Sequence, residues 1–420
     1  MSALPATLIP PRSDGRRGAR PATGQLSCDV ATSIESLRSM QPEWDRIVEA
    51  LGCGIYMSYD WCRVWWEHYA GRREARVFLF RIDDKLVSVV PMFIDRMRLG
   101  PVHLSVAKIM GSDSTQAVCD LPVPKAWATA VYDRLLQQLI DEDGCDALAI
   151  GPLSEASGRI DALRLASESR PDLVSKVHDR VVTQSTTIAL PDSFDAYLAS
   201  LSRNQRSNIH KGWRRLRDDC HVEVELITDP DAVLAEFDEF VPMHARQWES
   251  RGGLGHFGDW PGAASFNRSL VSAMSHANRV RMLRVRADSC VIARQYSFTF
   301  GNTYHCRLAA RVTDERWQRY GIGCLSLTKL IEHAIDEGKQ IIDAGVGHYD
   351  YKLRLGGSQQ RVRSILLAAN RDDALRRAEL FCSLAAVLDR AYYKLWFCRI
   401  APRLPRRRRP LSRTWMRSRL

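Results

Sequence analysis

A fifteen-residue stretch recurs at an offset of 205 positions, and this limits the chain's architecture more than any other feature. "RVFLFRIDDKLVSVV", from Arg76, falls without a gap on "RMLRVRADSCVIARQ", from Arg281, and Arg76/Arg281, Arg81/Arg286 and Asp83/Asp288 coincide. Each copy is two alternating apolar runs around a short polar turn, which is the pattern of a β-hairpin. Helical periodicity precedes both copies, and a helix followed by a strand comes after both. Two copies of one α/β unit are the expected result. Any two hairpins share part of this pattern, so chance alignment stays open at the level of the hairpins alone.

The intervening segments fit two such units. Residues 44–70 read as helix, loop, helix; 125–141 as a helix; and "CDALAIGPL" as a buried strand. "TTIALPD", 186–192, starts a new strand, and "SFDAYLASLSRNQRSNIHKGWRRLRDD" is a long helix or helix pair. "VLAEFDEFVPMHARQWESRGG" is helical, three strands run from Val280 to Arg311, and the strands "KQIIDAGVG" and "VRSILLAAN" follow a further helix. This divides the chain into an N-terminal tail (1–25, expected to be disordered), a first unit (26–185), a second unit (186–372) and a helix with an Arg-rich tail (373–420).

The net charge of +11 suggests a nucleic-acid partner until it is mapped. Residues 391–420 hold nine Arg, one Lys and no acidic residue, so the rest of the chain is close to neutral. With Trp396, Phe397 and Trp415 interleaved, this tail suits anionic lipid or RNA, or is a solubilising extension. The eleven cysteines include no C-x-x-C pair, which argues for reduced thiols rather than a disulfide frame or a zinc site. The N-terminus has no signal-like apolar stretch and no run is long enough to span a bilayer. Cytoplasm is the expected compartment, with the tail allowing contact at the inner membrane.

The chemistry-bearing pattern is "QRYGIG", residues 318–323, which satisfies Q/R-x-x-G-x-G/A between a strand and an apolar-periodic helix. A helix N-terminus offers unpaired N–H groups and partial positive charge, and glycines let a ligand approach the backbone. The same residues equally describe an entry turn that binds nothing. A Walker P-loop is excluded because no Lys follows Gly323, and a dinucleotide fingerprint because Ser326 stands where a third glycine is required. Gly253, Gly255 and Gly258 form a G-x-G-x-x-G that follows a helix, a loop coincidence as regards nucleotides, though a mobile loop beside a site stays open.

Further candidates follow the strand holding Asp343, in "IIDAGVGHYDYKLRLGG". A His or carboxylate at that strand end, His348, Asp343 or Asp350, can take a proton from an amine, and Tyr351 can protonate a leaving thiolate. A polar loop whose residues satisfy one another fits equally well. His305 and Arg307 share one face of the preceding strand and can point into one cleft. Between 203 and 217, Ile209, Trp213 and Leu216 form a buried stripe. Arg203, Arg206, Lys211, Arg214, Arg215 and Arg217 make an exposed basic face, either solvated or gripping an acidic ligand.

Together these residues resemble a known family. The Q-x-x-G-x-G loop after a hairpin and strand is similar to motif A of GNAT acyltransferases. "HARQWESRGGLGHFGDW" and the run from Ala310 to Gly356, closing on Asp343, Gly345, Gly347, Tyr351 and Lys352, resemble the GNAT-like proteins linked to cellulose and exopolysaccharide synthesis (the CelD/BcsL group). The likeness covers residues 40–370 as tandem units, with a more distant similarity to FemAB proteins. It implies an α/β (α+β) fold of two tandem GNAT-like units, each a mixed, mostly antiparallel sheet flanked by helices. It further implies acetyl-CoA or another acyl-CoA as co-substrate, held by Gln318, Arg319, Tyr320, Gly321, Ile322 and Gly323. His305, Arg307 and Lys352 are expected on the acceptor and Asp343, His348, Asp350 and Tyr351 in catalysis, with no metal. The expected reaction is acyl transfer to an amine of a sugar, polysaccharide precursor or related metabolite. The FemAB likeness implies an alternative, an aminoacyl-tRNA-dependent transferase, and a degenerate GNAT scaffold is a third reading. The first unit has "RLGPVHLSVAKIMGSDSTQ" where the loop would be, so the CoA site is expected in the second unit alone.

Overall fold

The computed structural model describes residues 25–113, 118–404 and 411–419. The expected tail, 1–25, lies almost wholly outside them. Within the first unit, β1 (Leu26–Ala31) leads to α1 (Gln41–Ala50) and α2 (Tyr59–Tyr69), the latter capped by Ser58, whose hydroxyl accepts the Trp61 N–H. The hairpin of β2 (Glu74–Ile82) and β3 (Lys85–Leu99) turns through Asp83 and Asp84, both at positive φ (47° and 64°), as the tightest hairpin turns require. Then come β4 (Val102–Ile109), α3 (Ala128–Leu136), β5 (Ala147–Ser154) and α4 (Arg159–Glu168).

A long strand, β6 (Val174–Ala189), leads into the second unit: α5 (Phe194–Ser200), α6 (Arg203–Asp219), β7 (Val222–Ile227), α7 (Pro230–Glu249), α8 (Gly255–Asp259) and α9 (Ala263–Ser275). The repeated hairpin is β8 (Val280–Ala287) and β9 (Cys290–Phe300), turning at Asp288 (φ 52°). After it come β10 (Thr303–Arg311), α10 (Glu315–Gln318), α11 (Ile322–Asp336), β11 (Ile341–Val346), α12 (Asp350–Arg354) and β12 (Ser358–Ala369). The chain closes on α13 (Asp372–Leu388), a wider helical continuation over Asp389–Ile400, and α14 (Ser412–Arg417).

All twelve strands form one sheet, ordered β1-β2-β3-β4-β5-β12-β6-β11-β10-β9-β8-β7. Pairing is antiparallel except at β4–β5 and β10–β11, the same place in each unit. The fold is therefore a mixed, mostly antiparallel sheet flanked by helices. The residues that coincide in sequence also coincide in role. Arg76 pairs with Asp143 and Arg281 with Glu337, each acid standing just past the helix that follows the fourth strand (both 2.8 Å). Arg81 faces Asp29 on β1, and Arg286 faces Glu223 on β7.

Three expectations are corrected. The strand expected to start at 186 starts at Val174, and β6 pairs along its length with β12 while also flanking β11. Its outward faces are polar and half-exposed, which hides it as a strand. β12 in turn pairs with β5 of the first unit, so each unit lends a strand to the other's side of the sheet, and the expected 185/186 division falls inside β6. Beyond 373 the chain is no free tail over its described residues. Arg417 pairs with buried Asp95, Lys108 Nζ donates to the carbonyls of Arg417 and Arg419 (3.2 and 2.8 Å), and Trp415 stacks on Tyr393 at 3.9 Å. The run "PRRRR" and Pro410, residues 405–410, lie outside the described residues.

Candidate active site

β10 and β11 pair in parallel from Thr303↔Ile341 to His305↔Asp343 and then part. β10 leaves the shared register through a bulge, its pairing with β9 shifting between Cys306 and Leu308, with Arg307 the extra residue. β11 breaks after Asp343, where Gly345 (φ 77°) and Gly347 (φ 101°) adopt a backbone closed to most side chains. Diverging parallel strands leave a cleft floored by main-chain groups that no longer satisfy each other.

The mouth of this cleft is the start of α11. Gly321 caps it in a left-handed conformation (φ 67°), and a Cβ built there would meet nothing within 4 Å. The Gly321 N–H donates to the Gln318 carbonyl (3.4 Å) and the Cys324 N–H to the Gly321 carbonyl (2.9 Å), which leaves the Ile322 and Gly323 N–H groups as the unpaired amides of the first turn among the described residues. The loop before it is held firmly. Trp317 and Tyr320 are buried, Tyr320 Oη donates to Asp219 at 2.7 Å, and Arg319 pairs with the same carboxylate. Arg215 Nη1 donates to the Arg319 carbonyl, and α6 approaches so closely at Gly212 that a Cβ would lie 3.1 Å from Leu325. The Arg319 and Tyr320 side chains are thus occupied, and Gln318 turns its amide to the Thr313 carbonyl (3.2 Å).

Arg311, at the end of β10, lies against Gly323, 3.4 Å from its would-be Cβ. It forms no ion pair among the described residues. Burial, and then the charge of Arg251, hold its guanidinium below the ordinary arginine value. A guanidinium beside a helix N-terminus favours a neighbouring anion. Neither arginine stands out in sequence, because each closes an ordinary element.

Deeper in the cleft, His305 Nδ1 lies 3.0 Å from Asp343 Oδ2, while Asp343 Oδ1 accepts the Gly345 N–H (2.9 Å). Burial alone would raise the Asp343 pKa, but the His305 hydrogen bond and charge, the Gly345 N–H and Lys352 together lower it. In its neutral form, with Nδ1–H donating to Asp343, His305 presents Nε2 as a buried acceptor without a partner among the described residues. Lys352 is buried, its ammonium 3.4 Å from the carbonyls of Gly345 and Val346; burial lowers its pKa against the pull of Cys306 and Asp343. Tyr351 is 38% exposed; the enclosure of the rest of it, with Cys306, Tyr349 and Cys324 beside it, pushes its hydroxyl up, so it stays protonated at neutral pH. His348 and Asp350 are elsewhere in character. Their side chains are 63% and 74% exposed, 3.5 Å apart, and His348 contacts Gln359. Asp343, His305 and Lys352 are brought together; His348 and Asp350 form an exposed pair of their own.

The cleft's far wall comes from residues without a local signal. Tyr56 of the first unit sets its ring against His305 (5.6 Å between centroids), and Trp61 sets its ring against Tyr56 (4.8 Å) and beneath the Arg307 guanidinium (5.5 Å). The glycine-rich segment 253–258 is a packed short helix rather than a mobile loop. Added Cβ atoms at Gly255 and Gly258 would fall within 2.7 Å of Trp248 and Leu254, and His256 is thereby carried to Arg307.

Residues 203–353 match the family model described as the acetyltransferase (GNAT) domain. No curated protein matches the chain. Among solved structures, FemX aligns with 77% of this chain and 95% of its own at 11% identity (TM-score 0.55). A tandem GNAT protein from the clavulanic acid biosynthesis pathway covers 83% of this chain and 100% of its own at 9% identity (TM-score 0.42). A conserved protein of unknown function from Bacteroides thetaiotaomicron covers 81% and 100% at 13% identity (TM-score 0.47). At such identities the likeness to FemX is one of fold.

Proposed function

We propose that this chain, whose residues 203–353 match a GNAT acetyltransferase domain, is an acyltransferase that moves an acyl group from acyl-CoA to an amine. The observation that carries the reading is the cation-flanked start of α11 at the mouth of the β10/β11 cleft. The pyrophosphate sits on the N–H groups around Gly321–Gly323 with Arg311 beside it, and the thioester runs down the cleft towards His305. The acceptor nitrogen attacks the thioester carbon, the C–S bond breaks, and the sulfur leaves as thiolate. His305 Nε2, oriented by Asp343, takes the proton from the nitrogen, and the Tyr351 hydroxyl supplies one to the thiolate. In the first unit, Lys108 and Ala149 stand where His305 and Asp343 stand in the second, and "RLGPVHLSVAKIMGSDSTQ" supplies no glycine cap. CoA therefore binds only in the second unit.

Thermal denaturation tests the donor. Acetyl-CoA at about a hundred times its Kd should add roughly 2.7 kcal/mol of stability, and Arg311→Met should abolish most of that gain. Stabilisation by charged tRNA with none by CoA would overturn the reading. That outcome belongs to the second reading, a FemAB-like aminoacyl-tRNA-dependent transferase. It is favoured by the likeness to FemX and by the exposed cations of α6, Lys211 and Arg214 among them, on the helix that supports the cradle.

The acceptor is a sugar amine or related precursor of exopolysaccharide or cell-envelope synthesis, on the resemblance carried by "DAGVGHYDYK". Among the described residues no helix is long and apolar enough to cross a membrane. The C-terminal face supports peripheral binding. Leu380, Val387, Leu395 and Leu411 are 56%, 61%, 50% and 43% exposed, in a C-terminal segment whose sequence is rich in Arg. Co-sedimentation with vesicles containing phosphatidylglycerol, and not with purely zwitterionic ones, is the expected result; equal recovery with both would remove this assignment.

A further inference from the structure

Where the two units meet, several buried side chains hold polar atoms that find no hydrogen-bond partner among the described residues. Trp61 Nε1, His256 Nδ1, Tyr296 Oη, His305 Nε2 and Arg307 Nε are all enclosed and without a hydrogen-bond partner among the described residues. They are neighbours through Arg307. Its guanidinium lies 5.5 Å from the Trp61 ring, its Nη2 lies 3.3 Å from His256 Nε2, and its charge acts on the Tyr296 hydroxyl. The aromatic chain Trp61–Tyr56–His305 closes the group on the other side.

The proton pattern follows from the contacts. Arg307 can only donate, so His256 Nε2 accepts, and the His256 proton resides on Nδ1. His244 shows the same logic one step away: its Nε2 accepts the His256 N–H (3.4 Å), so its Nδ1–H donates to the Ala309 carbonyl (3.0 Å). The unsatisfied atoms at Arg307 and His256 are thus N–H donors and Tyr296 can donate too, while Asn267, whose Nδ2 lies 3.4 Å from His256 Nε2, adds one buried acceptor, Oδ1, unpaired among the described residues.

Arg307 is also unlike the other enclosed arginines. Arg73 pairs with Asp95 and Asp113, Arg281 with Glu337, and Arg294 with Glu236, whereas Arg307 has no carboxylate partner among the described residues. Water can satisfy stranded donors but cannot neutralise a guanidinium. A cluster in which unpaired donors surround a cation without an ion-pair partner is complementary to an anion.

Resting on the acyltransferase reading, we infer that this inter-unit pocket binds an anionic group of the acceptor, a carboxylate or a phosphate monoester. Its grip comes from Arg307 and His256, with the Trp61 ring backing the guanidinium, and it presents the acceptor's amine to His305. The first unit, which has no cradle of its own, thereby acts as the specificity wall of the second unit's site.

Isothermal titration of the full chain without any acyl donor tests this, using pairs that differ only in the anion: glucosamine against glucosamine 6-phosphate, and glycine against glycinamide. The charged member of at least one pair should bind about 10- to 100-fold more tightly, the range for charged hydrogen bonds. Whichever pair responds identifies phosphate or carboxylate as the group. Arg307→Met should bring the ratio near one, and Arg307→Lys should restore part of it; a variant that merely loosens the fold would weaken both members alike. Equal binding within both pairs, absence of binding by all four, or a ratio untouched by Arg307→Met would overturn the assignment. Charge-selective, Arg307-dependent binding without turnover of acetyl-CoA would leave the pocket standing and remove the acyl-CoA reading instead.

Discussion

At the scale of residues, the account rests on how Asp343 divides the work of its neighbours. One carboxylate oxygen takes the His305 proton and the other takes the Gly345 N–H, so a single ionised group orients the imidazole and pins the glycine turn that opens the cleft. Replacing His305 by Gln keeps a donor for Asp343 but removes the basic nitrogen. We expect kcat to fall by roughly 10²- to 10⁴-fold, as for loss of a general base, with CoA affinity unchanged. A variant that loses CoA binding instead would show that His305 shapes the donor site. His305, Arg307 and Asp343 stand out in sequence as candidates, because strand alternation and a strand end next to glycines are local patterns. The sequence, however, points to His305 as an acceptor contact and to Asp343, His348 or Asp350 as the base, and the His305–Asp343 pairing appears only in the fold. Tyr56, Trp61 and His256 were not. Nothing near them in sequence distinguishes them from core aromatics or a loop histidine, and their relation to Arg307 exists only once the units pack.

Among the elements, the C-terminal segment differs most from its sequence. Ten basic residues without an acid suggest a solvated tail, yet Arg417 reaches into the first unit to share Asp95 with Arg73. Burial would raise the Asp95 pKa, but the hydrogen bond from Arg417 and the charges of Arg73 and Arg417 outweigh it and lower it. A carboxylate whose folded pKa is depressed stabilises the fold above its unfolded pKa, and that contribution fades as pH falls through the folded value. Asp95→Asn should therefore cost about 3–5 kcal/mol at neutral pH, the usual result of stranding buried charges. In urea titrations the gap from the parent chain should narrow below about pH 4. A gap that does not change with pH would mean Asp95 acts through packing alone. β6 is the complementary case. "VSKVHDRVVTQSTTIA" is polar and half-exposed because both its faces are partly open, so hydrophobic periodicity cannot reveal it. Its strand character comes from β12 and β11, partners about 180 and 160 residues away, and non-local pairing leaves no mark in a local window.

For the whole molecule, the repeat predicted the units and missed how they are joined. Hairpin register and the Arg76/Arg281 ion pairs repeat, though both Asp83 and Asp84 but only Asp288 of the second turn take positive φ, whereas β6 and β12 lie side by side where the halves meet. Each half therefore leaves a wide sheet edge when isolated, an aggregation-prone state. Segments 26–185 and 186–372 expressed separately should be insoluble or unfolded, and the full chain should show one calorimetric transition coincident with tryptophan fluorescence. Two separate transitions would mean that the exchanged strands do not couple the units. A single cooperative body also explains how a first unit without a cradle can shape the chemistry of the second.

The central claim is that acyl-CoA lies at the start of α11 in the second unit and nowhere else. Amide hydrogen exchange with and without acetyl-CoA tests it most directly. The account predicts slowed exchange in peptides covering 306–311 and 318–325, unchanged exchange over residues 102–113 of the first unit, and loss of the effect in Arg311→Met. Protection centred on the first unit, or no protection at 318–325 under saturating acetyl-CoA, would contradict it.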